Sequence, residues 1–529
     1  MTTKPWIEHW PVDVPLTSDY PNVPLYQLVK EASEAFPSNT AYIFQNKSIS
    51  YDQLYAQIKN FAATLHHTLG VKYSDKVAIY LPNHEGYLIS FFAVNMIGAI
   101  VIPCNAAYRE KEMKFLLKES EAETIVVLDE LYPIVKDILE ETSLKNIVVI
   151  GKEATPNTFN FYELVSTTQE EPPKVDIKAE DIAVLAYTGG TTDTPKGALL
   201  TNFNLVSNAL AFVKWYSFEE GKERTIAVLP LSHIFGLTCA MIAPLSIAGT
   251  IVLMPKFHPD KVLDAISTYR LTYMAGVPTM YIAILHHPEF EKHNLSSLRY
   301  AISGGASLPV QVMKEFSEKT GSNILEGYGL TEASPITHIS PIARKKAGTI
   351  GIPIIDCFAR IIDKDGNDVP IGERGELVIS GPMVMKGYWK KPEETKKALV
   401  NGELHTGDIA TMDEEGYFAI VDRKKDMINV AGYKVYPRDV EEVLYENPKV
   451  KSAAVIGVPD EYTGEKVKAY VVLKEGQSAM DHEIIKFCEE KIAKFKVPKI
   501  IEFRNEIPMT GVGKVLRRAL REEVKGNPA

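Results

Sequence analysis

Residues 76–104 read KVAIYLPNHEGYLISFFAVNMIGAIVIPC, and their pattern sets the architecture. A short apolar strand, KVAIYLP (76–82), is followed by a helix from about Tyr87 to Met96 and a second strand, AIVIPC (99–104). Strands each followed by a helix imply right-handed crossovers and parallel sheets. The uncharged run from Tyr87 to Tyr108 is long enough to span a bilayer, as is a second from Ile226 to Pro255. Asn95, Gly98, Pro103 and Asn105 interrupt the first; Pro230, Ser232, His233, Gly236, Pro244, Ser246 and Gly249 interrupt the second. Each is therefore read as a buried helix followed by a buried strand, because parallel sheets covered on both faces give nearly continuous apolar runs.

The theme repeats in TIVVLD (124–129), NIVVIG (146–151), TIVLMP (250–255) and YAISGG (300–305). After about residue 345 the texture changes. IIDKDGNDVPIGERGELVISGP (361–382) and GDIATMDEEGYFAIVDR (407–423) carry the turn punctuation of antiparallel hairpins and suggest a small barrel-like subdomain. From Lys424 the pattern is mixed α+β: a helix from Pro437, strands at SAAVIGVP (452–459) and VKAYVVLKE (467–475), and a helix over 482–495. This block has its own apolar set and is expected to fold as a small domain.

A chain of 529 residues exceeds one ordinary core, so at least two domains are expected. The net charge of −10 argues against a general nucleic-acid or membrane-surface binder, both partners being polyanionic. At most peripheral membrane contact is anticipated. The block from residue 426 holds 18 basic and 17 acidic residues, so the acidity lies before it. The four cysteines, at 104, 239, 357 and 488, show neither zinc-knuckle spacing nor a disulfide framework. The N-terminus MTTKPWIEHWPVDVP lacks a secretory apolar run, which points to a cytoplasmic protein. Interface patches cannot be told from core faces in the sequence, so a homodimer stays open.

The strongest chemical signal is YTGGTTDTPKG (187–197), following the apolar strand DIAVLA (181–186). Gly189 and Gly190 let the backbone approach phosphate oxygens and expose amide N–H groups toward them. Thr188, Thr191, Thr192 and Thr194 can donate hydroxyl hydrogen bonds, and Lys196 supplies charge. No Gly-Lys-Ser/Thr closes the loop, which removes support for a Walker-type or kinase-like NTPase. A Gly/Thr-rich surface turn is the bland alternative.

This loop resembles the phosphate-binding signature of the adenylate-forming superfamily: acyl-CoA synthetases, peptide-synthetase adenylation domains and beetle luciferases. One departure stands out, Asp193 in place of the family's glycine. Six further stretches resemble family segments in the same order. LPLSHIFG (229–236) looks like one wall of the acyl site, with His233 orienting the carboxylate. SGGA (303–306) resembles the loop whose Gly304, Gly305 and Ala306 flank the adenine and the acyl pocket. In EGYGLTE (326–332), Tyr328 would stack on adenine, framed by Glu326, Gly327 and Gly329. Thr331 would bond the α-phosphate and Glu332 would hold Mg2+, a hard ion that prefers carboxylate oxygen. LHTGDI (404–409) offers Asp408 to both ribose hydroxyls. DRKKDMINVAGYKVYP (422–437) supplies Arg423 for ribose or phosphate, a hinge at Lys425, and a thiol tunnel lined by Gly432, Tyr433 and Lys434. PMTGVGKVLRR (508–518) brings Lys514 to bridge carboxylate and α-phosphate.

The resemblance implies an α/β fold. A large N-terminal adenylation domain (1–422) would combine two parallel-sheet α/β subdomains with a small β-barrel-like one. A mobile α+β domain (423–529) would follow. It also implies an ATP-dependent ligase that converts a carboxylic acid to acyl-AMP with release of pyrophosphate, then transfers the acyl group to CoA. Its co-substrates are ATP and CoA, and Mg2+ is its cofactor. The run YGLTEASPITH (328–338) is most similar to medium- and long-chain fatty-acid–CoA ligases. An aryl-acid ligase, a stand-alone carrier-loading enzyme and a luciferase-like oxygenase stay open. So does a weakly active nucleotide sensor, because Asp193 should repel a triphosphate unless it points to solvent or helps hold magnesium.

Overall fold

The strand Lys76–Tyr80 lies inside an eight-stranded sheet in the computed structural model, which describes residues 4–151, 156–166, 170–188, 195–423, 426–460, 462–510 and 515–526. Ile100–Cys104 and Thr124–Leu128 flank it, and both pairings are parallel, with Val77 opposite Val101 on one side and Thr124 on the other. Ile182–Tyr187 continues the parallel set, and Gly197–Thr201 and Gly387–Tyr388 close that edge antiparallel. The helix Glu85–Met96 is buried at every residue after Glu85. That is why it has no polar face in sequence: it lies between layers. His84 caps it, its Nδ1 accepting the Gly86 N–H at 3.0 Å. Burial pulls the His84 imidazole down to about 4.

The second uncharged run also folds as read. The strand Arg224–Ala227 leads to helical turns over Ile234–Leu237, Thr238–Ile242 (a π-turn) and Ala243–Ser246, then the strand Thr250–Leu253. Among the described residues no helix is long and apolar enough to cross a membrane. Buried Asn83, just past the first strand, ties the two layers together. Its amide donates to Ala227 O (2.8 Å) and Leu229 O (2.9 Å), and its Oδ1 accepts the Leu231 N–H at 2.8 Å. The start of the 229–236 segment is thereby fixed to the end of the large sheet.

A third sheet holds the parallel strands Tyr273–Gly276, Tyr300–Ser303 and Asn323–Gly329, extended antiparallel by Ile336–Ile339 and Ile352–Pro353. The hairpin-marked region forms an antiparallel subdomain from Phe358–Ile362, Gly375–Ser380, Leu399–Val400, Glu403–Met412 and Phe418–Arg423.

Residues beyond 426 build a separate sheet, Ile428–Val430, Tyr433–Val435, Val450–Asp460, Gly464–Leu473 and Ile500–Phe503. Val440, Leu444, Val455, Ala469 and Ile484 fill its own core. The helix expected over 482–495 spans Asp481–Glu489 instead. The chain turns early so that Ile500–Phe503 can run parallel to Gly464–Leu473, with Pro498 disfavouring helix just before it. This unit meets the rest through the start of the helix Pro437–Tyr445. Arg438 Nη1 donates to Ile420 O, and Arg374 lies 4.5 Å from the Tyr436 ring and 3.6 Å from Asp439.

Candidate active site

The phosphate-loop candidate is the tip of a hairpin. Tyr187 pairs with Gly197, the Thr188 N–H donates to Lys196 O at 2.8 Å, and Thr188 Oγ1 accepts the Lys196 N–H at 3.3 Å. The base of the loop is therefore locked, while Gly189, Gly190, Thr191, Thr192 and Asp193 lie outside the described residues. Lys196 does not face open space. Its ammonium sits 2.8 Å from Glu394 Oε2 and 5.3 Å from the centre of the Tyr388 ring. The Tyr388 hydroxyl in turn donates to Glu332 Oε1 at 2.7 Å. Burial, with the Glu332 charge beside it, raises the Tyr388 phenol well above its ordinary range. Lys196 and Glu332, 136 positions apart in the sequence, thus share one neighbour, Tyr388. Sequence reasoning misses both Tyr388 and Glu394. Their only local trace is KGYWKKPEET (386–395), an aromatic pair before a Pro-started helix.

EGYGLTE occupies the end of the strand Asn323–Gly329 and a 3-10 turn, Thr331–Ala333. Gly329 is required by packing: a Cβ there would meet Pro335 O at 1.9 Å. Tyr328 is half-buried, and its phenol donates to Asp408 Oδ2 at 2.5 Å. Asp408 is buried on the strand Glu403–Met412, where its N–H donates to Thr406 Oγ1 at 3.1 Å. The neighbouring Gly407 N–H donates to Glu376 Oε1 at 3.1 Å. Asp408 stands opposite Arg423 in the ladder to Phe418–Arg423. A flat ring and a carboxylate joined at their tips suit a base and its attached sugar.

Glu326 is placed differently from its neighbours. It is buried beneath the loop, one oxygen accepting the Leu308 N–H at 3.3 Å, and burial pushes its carboxyl up to about 7. Its main-chain oxygen is engaged as well, accepting the Ser340 N–H at 3.0 Å. Gly327 and Gly329 stay half-buried beside Tyr328, and Gly305 and Ala306 are both exposed.

Gly304 and the 229–236 segment meet. A Cβ on Gly304 would lie 3.1 Å from the Phe235 ring, so the missing side chain is what lets Phe235 close on the loop. Gly236 is likewise forced, because its Cβ would meet Pro230 O at 2.4 Å. His233 caps the turn Ile234–Leu237, Nδ1 accepting the Phe235 N–H at 3.3 Å, which fixes the imidazole over this wall.

Gly432, Tyr433 and Lys434 lie in the Ile428–Val435 hairpin of the C-terminal sheet. Gly432 has φ +88°, and open space surrounds the position a Cβ would take. Tyr433 is exposed and stacks on Phe495 at 4.7 Å. Lys425 and Lys514 lie outside the described residues, as does the side chain of Arg423. All four cysteines are free and buried, and burial raises each thiol.

Residues 29–389 match the AMP-binding enzyme family, and 439–514 match the AMP-binding enzyme C-terminal domain. The chain belongs to the AMP-binding enzyme family. It is an AMP-forming acid–CoA ligase, which makes an acyl-adenylate from ATP and a carboxylic acid and passes the acyl group to CoA. A long-chain-fatty-acid–CoA ligase of Bacillus subtilis (strain 168) is 40% identical over 99% of both chains. A feruloyl-CoA synthase of Amycolatopsis sp. is 36% identical over 92% of this chain and 96% of its own. MatB from Rhodopseudomonas palustris, 31% identical, superposes in its ATP-bound form with a TM-score of 0.88, covering 96% of this chain and 99% of its own. Its apo form, with the same coverage, gives 0.77.

Proposed function

We propose that the acid is a long-chain fatty acid, and that the nucleotide binds between Tyr328, Asp408 and the Lys196–Glu332 pair. The 40% identity along both full lengths to the Bacillus subtilis long-chain enzyme carries the choice of acid. The feruloyl-CoA relative keeps an aryl acid as the second reading. The Tyr328–Asp408 contact supports the base and ribose site.

In the first half-reaction the substrate carboxylate attacks the α-phosphorus in line and pyrophosphate leaves. Such a step needs positioning and charge compensation rather than a protein nucleophile. Tyr328 presents its face to adenine, Asp408 accepts from the ribose, and Thr331 and Lys196 take phosphate oxygens. His233 and the Phe235–Gly304 contact bound the acyl side. Lys514 compensates the charge that builds between carboxylate and α-phosphate.

Among the described residues no three His, Cys, Asp or Glu side chains gather as a metal cage. Magnesium does not require one, because it keeps waters and substrate phosphates around one or two carboxylates. Glu332, joined to Lys196 through Tyr388, fits that demand, and the ion would supply charge neutralisation at the phosphates.

The two domains divide at 422/423 with the hinge near Lys425, and the C-terminal unit moves between half-reactions to bring Gly432, Tyr433 and Lys434 to the acyl-adenylate. The better superposition on ATP-bound than on apo MatB supports the adenylation arrangement for the structure described. The enzyme works in the cytoplasm. The test is product formation: with ATP and CoA, long-chain fatty acids should yield acyl-CoA and AMP faster than ferulate or other aryl acids. Preference for an aryl acid would replace the substrate assignment and leave the ligase intact.

A further inference from the structure

The segment Lys386–Thr395 holds two side chains of the site, Tyr388 and Glu394, without belonging to any stretch that marks the nucleotide pocket. It is zipped onto the strand that leaves the phosphate loop: the Lys386 N–H donates to Leu199 O (2.9 Å) and the Trp389 N–H to Gly197 O (2.8 Å). The Tyr388 N–H donates to Thr395 Oγ1 at 2.9 Å, folding the segment back so that Tyr388 and Glu394 both reach Lys196.

We propose that Glu394 is a positioning residue that stands in for substrate phosphate, holding the Lys196 ammonium beside Tyr388 and Glu332 until a triphosphate displaces it. The proposal rests on Lys196 being a phosphate ligand. A carboxylate and a phosphate cannot both crowd one ammonium without mutual repulsion, so ATP entry requires Glu394 to withdraw. Withdrawal is easy. The pair is part-exposed, at 27% and 38%, and such pairs shift an equilibrium by a factor of about five at most. Glu394 also has somewhere to go: Lys397 lies 3.2 Å from its other oxygen, and it sits in the first turn of the helix Pro392–Ala398, where a negative charge is favoured. Lys196 and Lys397 together hold the carboxyl below its ordinary range, so it is anionic whenever it competes. Lys196, for its part, keeps its ammonium 5.3 Å from the centre of the Tyr388 ring.

Calorimetric titration of the full-length protein with magnesium-ATP and, separately, with adenosine tests this. Glu394→Gln is expected to bind ATP about two- to five-fold more tightly than the unsubstituted protein at low ionic strength, the gain shrinking with added salt. Adenosine affinity should not move, and Glu394→Asp should restore ordinary ATP affinity. In a Lys196→Ala background the Glu394→Gln gain should vanish. Unchanged or weaker ATP binding by Glu394→Gln, an equal change for adenosine, or a gain that survives in Lys196→Ala would overturn the proposal. If Lys196→Ala alone leaves ATP affinity intact, the phosphate role of Lys196 fails as well, which separates that failure from failure of the Glu394 role.

Discussion

The Tyr328 phenol donates a 2.5 Å hydrogen bond to Asp408, tying the end of the strand Asn323–Gly329 to the antiparallel subdomain that carries the strand Glu403–Met412. The residue proposed for the base and the residue proposed for the ribose are thus one unit, contributed by two sheets and 80 positions apart in sequence.

Tyr328→Phe keeps the ring face but releases Asp408. A hydrogen bond to a charged group contributes about 1.5–3 kcal/mol, and part of that is regained from water at this half-buried position. The expected result is a loss of roughly 3–10-fold in kcat/KM for ATP. Asp408→Ala, which removes the proposed ribose acceptor itself, should lose more, roughly 100-fold. Steady-state kinetics at saturating acid read both. If Asp408→Ala behaves like Tyr328→Phe, Asp408 serves only to hold the tyrosine.

Two glycines separate packing from function. Gly329→Ala would drive a Cβ into the Pro335 carbonyl, which is backbone and cannot swing away. Overpacking of this kind destabilises by about 1–3 kcal/mol, so the melting temperature should fall. Gly304→Ala meets the Phe235 ring instead, and a side chain can give. The expected signature is a raised KM for the acid with a smaller melting shift. A melting loss for Gly304→Ala equal to that of Gly329→Ala would deny Phe235 its place at the acyl wall.

Glu326 makes stability depend on pH. Its folded carboxyl titrates near 7, above the ordinary 4.5, so the folded state holds the proton more tightly than the unfolded chain. The stabilisation is full below about pH 4.5 and is lost as pH rises through about 7. A shift of that size is an upper bound of about 3 kcal/mol. Glu326→Gln cannot titrate, so its melting temperature relative to the parent should improve between about pH 5 and about pH 8. A constant gap would mean that the carboxyl is not held protonated.

Lys514→Ala should abolish adenylation while sparing thioester formation from supplied acyl-adenylate. Gly432→Leu should do the reverse, since its side chain would fill the open space at the Cβ position that a thiol path would use. Separate assays of the two half-reactions decide it; equal loss of both reactions in Lys514→Ala would contradict the domain swing.

The parallel sheets are legible in the sequence because buried strands announce themselves as unbroken apolar runs, and Lys76–Tyr80, Thr124–Leu128 and Asn146–Ile150 fall where the runs do. The helix over 482–495 ends sooner than its pattern suggests. Periodicity continues past Glu489, whereas the early turn serves a strand pairing made with residues 464–473. Tyr328 and Asp408 can be picked out from their local strings, but their contact cannot. Glu394 is invisible for the same reason. Its partner lies 198 residues away, and a glutamate in the first turn of a short helix reads as an ordinary helix start.

ATP–pyrophosphate exchange, run without CoA against fatty acids of graded chain length and a set of aryl acids, tests adenylation by this chain most directly. The expected result is exchange that depends on added acid and is strongest with long-chain fatty acids. Exchange with none of these acids would contradict adenylation by this chain.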